Sequence, residues 1–200
     1  MLCELGLEYE TREIIPRTSS MDDPDFRRLG QRGKVPILEH GDVAMGESGA
    51  ILLWLADRYR DRAVLAPEPG SDARAVFDDL CLFSLMELDA PLYIVRRHEG
   101  LADVYGEAPT AVASAKEYFT RQSGEMLRRL SDGRAHLMGD DFSAADILLS
   151  TCLAWAQTVD IGLPEVLTAY QTRVTAREAF GRAARTNFTP AAMAMLRGER

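Results

Sequence analysis

The sequence predicts two unlike parts in one chain: a mixed α/β N-terminal domain and an all-α helical-bundle C-terminal domain. Periodicity is mixed over residues 1–62, and a turn-rich stretch at 63–72 (AVLAPEPGSD) reads as a linker. Over residues 73–200 apolar side chains recur at spacings of three and four, the mark of amphipathic helices. Two hundred residues give both parts room for a core.

Taken in order, CELGL (3–7) reads as the end of a helix, with Gly6 in the left-handed cap conformation. YETREII (9–15) alternates as a half-buried strand that Pro16 ends. DDPDFRRLGQRG (22–33) has an Asp-Pro start and glycine stops, the signals of a short helix. VPILEH (35–40) and DVAMG (42–46) flank Gly41 and predict two antiparallel strands. From Ser48 onward, Ile51, Leu52, Leu55 and Tyr59 fall on one helical face.

Past the linker, Ala115, Phe119, Gln122, Met126 and Leu130 form one seam, and Leu163, Val166, Leu167, Tyr170 and Val174 another. Between them DFSAADILLS (141–150) carries the sharpest local signal. Ser143 and Asp146 stand as a capping box with Asp in place of the usual Glu, and Phe142 and Ile147 occupy the staple positions. The helix that follows is apolar almost all round, which predicts a central place in the bundle.

Hydrophobic content of 46% and charged content of 27% are those of an ordinary soluble globular protein. A net charge of −8 argues against a general nucleic-acid binder. Cys3, Cys81 and Cys152 are odd in number, far apart and without metal spacing, which points to a reducing, cytoplasmic setting. The opening MLCELGLEYE has no signal-peptide pattern, and the longest apolar run, residues 50–56, is too short to span a bilayer.

Two dipeptides carry the candidate chemistry. Val35-Pro36 is either a proline at a strand start or a cis peptide bond that aims the Val35 backbone at an extended ligand. Glu47-Ser48 is either a plain helix N-terminus, with Ser48 as cap, or an amino-acid head-group site. In the second case N–H groups and a hydroxyl take the carboxylate while Glu47 takes the ammonium. Cys3 at a helix end is poorly placed for a thiolate, and Cys81 and Cys152 in apolar helical stretches read as buried and inert. Tyr93, Arg96, Arg97 and His98 (in LYIVRRHEG) either line a pocket or are a solvated helix end with cations at its negative pole. His40 and His136 lie beside turn residues with no partner evident in the sequence.

KVPIL followed by ESGAILLWLADRY, then APEPGSDARA, DFSAADILL and LPEVLTAYQTRVTAREAFGRA, resembles the glutathione S-transferase superfamily in that order over nearly the whole chain. The resemblance implies a thioredoxin-like glutathione-binding domain over 1–62, an all-helical domain over 73–200, and a homodimer. It implies glutathione as co-substrate. Val35 would pair its backbone with the cysteinyl part, with Pro36 cis, and Glu47 and Ser48 would hold the γ-glutamyl head group. Lys34 would meet the glycyl carboxylate or stand as a solvated strand-start lysine.

One departure stands beside these matches. Members of that family begin with a strand and a loop carrying the Tyr, Ser or Cys that stabilises the glutathione thiolate. MLCELGLEYE matches only the end of the helix that follows, so the N-terminal domain is expected to be incomplete, by truncation or by a rearranged sheet. The thiol-activating residue is therefore unassigned. Two functions compete: a transferase joining the glutathione thiol to an electrophilic small molecule (isomerisation and dehalogenation use the same thiolate), and a non-catalytic binding or regulatory protein.

Overall fold

The computed structural model describes residues 1–30 and 32–187. The chain divides into two compact units, Met1–Val64 and one that starts at Leu65.

In the first unit, residues 2–6 make turns closed by Leu5 N–H to Met1 O (3.1 Å) and Leu7 N–H to Leu2 O (3.1 Å). Gly6 has φ 61°, the left-handed conformation expected of it, and Leu5 is buried. Residues 9–15 are not a strand. Alternation alone does not make one, because a strand needs a ladder partner for its backbone groups. Here the Ile15 N–H donates to Ser20 Oγ at 2.8 Å. Arg12 reaches across to Asp23 (2.7 Å) and Asp25 (3.1 Å), so side chains hold the segment to the helix start beside it.

A 3₁₀ turn at Ser19–Asp22 leads into α1 (Pro24–Leu29). Asp23 caps α1 by accepting the Phe26 N–H at 2.9 Å, and Pro24 fills a first-turn position where a missing N–H costs nothing. β1 (Leu38–His40) and β2 (Val43–Met45) form the hairpin, paired Leu38 with Met45 and His40 with Val43. Gly41, at φ 57°, supplies the positive φ that its two-residue loop requires. Among the described residues the sheet has these two strands alone. α2 (Ser48–Arg58) buries Ile51, Leu55 and Ala56. Its cap residue is Glu47 rather than the expected Ser48, which is instead the first helical residue.

The second unit is helical throughout. Leu65 and Ala66, in the predicted linker, are buried, and Leu65 O accepts the Ala144 N–H at 2.8 Å, so this half of the linker is docked. α3 (Asp72–Phe83) starts at Ser71, whose Oγ accepts the Arg74 N–H at 3.1 Å. It runs through a π-helical turn at Ser84–Asp89 into α4 (Ala90–Val95) and a second π turn at Arg96–Gly100. Pro91 accounts for the first widening: it has no N–H to give, and its ring would strike the Glu87 carbonyl in a regular helix. The Ala90 N–H accordingly bonds Leu85 O, five residues back.

α5 (Ala102–Tyr105) is a single turn before the long α6 (Pro109–Leu130). The α6 seam buries Ala115, Phe119, Ser123, Met126 and Leu130. Ser123 replaces the expected Gln122 because its small hydroxyl folds back onto Thr120 O at 2.9 Å, which a long amide could not do. α7 (Ala144–Thr158) buries residues on every side and packs against α3, α4 and α8 (Glu165–Thr175), as its apolar composition predicts. In α8 the buried face is Leu167, Tyr170, Gln171 and Val174, while Val166 stays 37% exposed. α9 (Glu178–Asn187) ends the described chain.

The capping box forms at the head of α7. The Asp146 carboxylate, fully buried, accepts the Ser143 N–H at 2.8 Å. It also accepts the Ser143 hydroxyl (3.0 Å), the Leu137 N–H (2.9 Å) and the Tyr170 hydroxyl (2.7 Å). Burial and this neighbouring carboxylate push the Tyr170 phenol well up, so it remains a donor.

Asp89, on the π turn, is a different kind of acid. Burial pushes its carboxyl from 3.8 up to about 6. A folded-state value above the unfolded one means that stability is full at low pH and falls as pH rises from about 4 to about 6. Asp89→Asn is therefore expected to raise the melting temperature at pH 7.5 by about 2–4 °C. The gain should shrink as pH falls toward 4; an equal gain at both ends in thermal denaturation would refute the assignment.

Candidate functional site

The first unit carries a polar cleft of about 310 Å³ between the α1–β1 loop, the hairpin and the start of α2. Local sequence builds it. Gly30 ends α1, and a Cβ there would lie 2.2 Å from Ile37 Cδ1, so glycine lets Ile37 close behind the loop. Gly33 has φ 59°, a conformation that favours glycine, and turns the chain between Arg32 and Lys34. The Val35-Pro36 bond is cis. β2 then delivers Gly46 and Glu47 to the opposite wall.

Three cations line the cleft, Arg28, Arg32 and Lys34, against one carboxylate, Glu47. Arg32 Nη1 forms an ion pair with Glu47 Oε1, both side chains being more than half exposed. Arg28 keeps looser contacts at 3.8 Å to Asp25 and 3.9 Å to Glu39. Leu29, Ile37 and Ala44 give the apolar part of the lining. Such a site suits a ligand with both an ammonium and a carboxylate.

Of the residues singled out in the sequence, Lys34 and Glu47 share this cleft. Val35, Pro36 and Ser48 are exposed and adjoin those two in the chain without lining it. Arg28 and Arg32 were missed, although the basic run FRRLGQRGK just before the Val-Pro pair is a visible signal for them.

The remaining candidates lie elsewhere. Cys81 and Cys152 are buried as expected; burial pushes Cys81 up to about 12 and Cys152 higher still, which holds both as thiols. Cys3 is partly buried, with Sγ 3.4 Å from the Tyr9 hydroxyl. Tyr93 packs edge-on against Trp155, Arg96 and Arg97 lie over the Tyr93 and Tyr105 rings, and His98 Nδ1 is 2.8 Å from Gly106 O. Both other histidines have neighbours that the sequence did not reveal. His40 Nε2 is 2.9 Å from the Tyr59 hydroxyl and its ring packs on Trp54, while His136 lies against Phe142 with Nδ1 3.8 Å from Asp146. Among the described residues no group of three or more His, Cys, Asp or Glu could hold a metal ion, and no helix is long and apolar enough to cross a membrane.

Comparison with known proteins agrees with this geometry in both units. Residues 1–63 match the profile "Glutathione S-transferase, N-terminal domain", and residues 85–178 match "Glutathione S-transferase, C-terminal domain". Glutathione S-transferase Z2 of Arabidopsis thaliana is 35% identical over 60 residues, 30% of this chain and only 27% of that protein. The bacterial glutathione S-transferase BphK, solved as a ternary complex, superposes with a TM-score of 0.81 at 27% identity, over 92% of this chain and 90% of its own. A sphingomonad glutathione S-transferase complexed with glutathione is 30% identical, with a TM-score of 0.70 over 81% of this chain and 78% of its own. A thioredoxin-like N-terminal domain with a short sheet, joined to an all-helical C-terminal domain, is the fold these matches share. With both domain profiles matched in sequence order and the fold reproduced, the chain belongs to the glutathione S-transferase family.

Proposed function

We propose that the chain binds glutathione in the cleft of its first unit and joins the glutathione thiol to an electrophilic small molecule. The observation that carries this reading is the meeting of Glu47 with Lys34 and two arginines in one cleft. In it Glu47 takes the ammonium of the γ-glutamyl end, and the Ser48 hydroxyl with the N–H groups at the head of α2 takes its carboxylate. The Val35 backbone, before Pro36, pairs with the cysteinyl unit, and Lys34 takes the glycyl carboxylate. Binding and orientation of the thiol are then the protein's contribution to rate.

A second reading, a glutathione-binding protein without catalysis, is favoured by the lining itself. Among the described residues that line the cleft there is no Tyr, Ser, Thr or Cys to hold a thiolate by hydrogen bonding. One experiment separates the two: retention on immobilised glutathione, competed by free glutathione, followed by a glutathione-consumption assay with an electrophilic aryl halide. Competed retention with turnover supports the transferase, and competed retention without turnover supports the binding protein. Loss of retention removes both.

The chain is further proposed to act in the cytoplasm as a homodimer. Support for the dimer comes from Leu82 and Met86, four residues apart on one helical run and 57% and 66% exposed. A charged Met86→Glu variant is expected to shift the light-scattering mass from two chains to one; an unchanged mass would count against that face.

A further inference from the structure

Glutathione binding as proposed above requires the Glu47 carboxylate, and that carboxylate is already occupied by Arg32. We propose that Arg32 is an internal competitor for the ligand's ammonium: a guanidinium latch that closes the Glu47 position and must swing away for the ligand to enter.

The geometry supports displacement rather than a permanent partner. Arg32 lies in the short loop between α1 and β1, between Gly30 and Gly33, 15 residues before Glu47 in sequence. Its side chain is 66% exposed and that of Glu47 62%, so the pair is held by no surrounding packing. Glu47 makes no capping bond to α2, and among the described residues Arg32 is the group that holds its carboxylate. An exposed ion pair of this kind is weak and salt-screened, suited to exchange against an incoming ammonium.

The latch acts on one functional group of the ligand, and this makes it testable separately from the binding reading on which it rests. Calorimetric titration would compare the wild-type chain, Arg32→Gln and Arg32→Lys at one ionic strength. The ligands are glutathione and an analogue lacking its α-amino group. Arg32→Gln should bind glutathione about two- to fivefold tighter, the range of an exposed ion pair, and Arg32→Lys should resemble wild type. For the des-amino analogue Arg32→Gln should bring no tightening. Weaker or unchanged glutathione binding by Arg32→Gln would overturn the latch while leaving the binding reading intact, and equal tightening toward both ligands would reduce Arg32 to a steric obstacle and overturn it too. A wild-type chain that binds no glutathione would overturn the binding reading itself, and the latch with it.

Discussion

Asp146→Ala is expected to destabilise the helical unit by about 3–5 kcal/mol, the largest effect of any single substitution considered for the fold. The carboxylate is fully buried and serves the Ser143 N–H and hydroxyl, the Leu137 N–H and the Tyr170 hydroxyl together. Alanine removes the acceptor and leaves these donors in a site that water cannot easily fill, each unmet donor costing about 1–3 kcal/mol. Against a total stability of about 5–15 kcal/mol, that is a fifth of the total or more. Tyr170→Phe deletes one donor and spares the acceptor, so it should cost only about 1 kcal/mol. In an Asp146→Ala background the same change should cost less, because the hydroxyl no longer has its partner. Urea midpoints at constant m-value would measure this; an Asp146→Ala loss no larger than that of Tyr170→Phe would show that the carboxylate does not organise the site.

The same residues explain why so much of the helical unit is legible in sequence. Cap chemistry is local: Ser143 and Asp146 satisfy groups within one turn, and Asp23 before Pro24 does the same for α1. What failed depended on neighbours. Residues 9–15 alternate like a strand, but pairing is a property of two segments, and their side chains bind the start of α1 instead. Gln122 sits at the right spacing for the α6 seam, yet Ser123 is buried because its hydroxyl can bond its own helix. Glu47 and Ser48 stand at the predicted boundary, but Glu47 takes the cap position without a capping bond and Ser48 opens the helix, since either register puts a polar residue at the helix mouth. At the site itself, the helix-start pattern pointed to Glu47, while Lys34 entered through the family resemblance alone. The arginines depended on how the glycines at 30 and 33 fold the loop, and periodicity carries no such signal.

Glu47→Ala is the counterpart prediction for function, with glutathione affinity expected to fall about 10- to 100-fold, the worth of a charge-assisted hydrogen bond. Folding should be spared, because the Glu47 side chain is exposed and makes no capping bond, so the urea midpoint should stay at the wild-type value. The loss will be tempered because the substitution also removes the Arg32–Glu47 ion pair that the ligand must otherwise break. In an Arg32→Gln background Glu47→Ala should therefore weaken binding by a larger factor than in wild type. Glu47→Gln separates charge from hydrogen bonding: the amide keeps an acceptor for the ammonium and loses the ionic part, which predicts an intermediate affinity. Wild-type affinity should also decline in the alkaline range as the ligand's ammonium loses its proton, and Glu47→Ala should flatten that decline. Titrations showing equal affinity for Glu47→Ala and wild type, or the same alkaline decline in both, would place the ammonium elsewhere and dissolve the link between this carboxylate and the ligand.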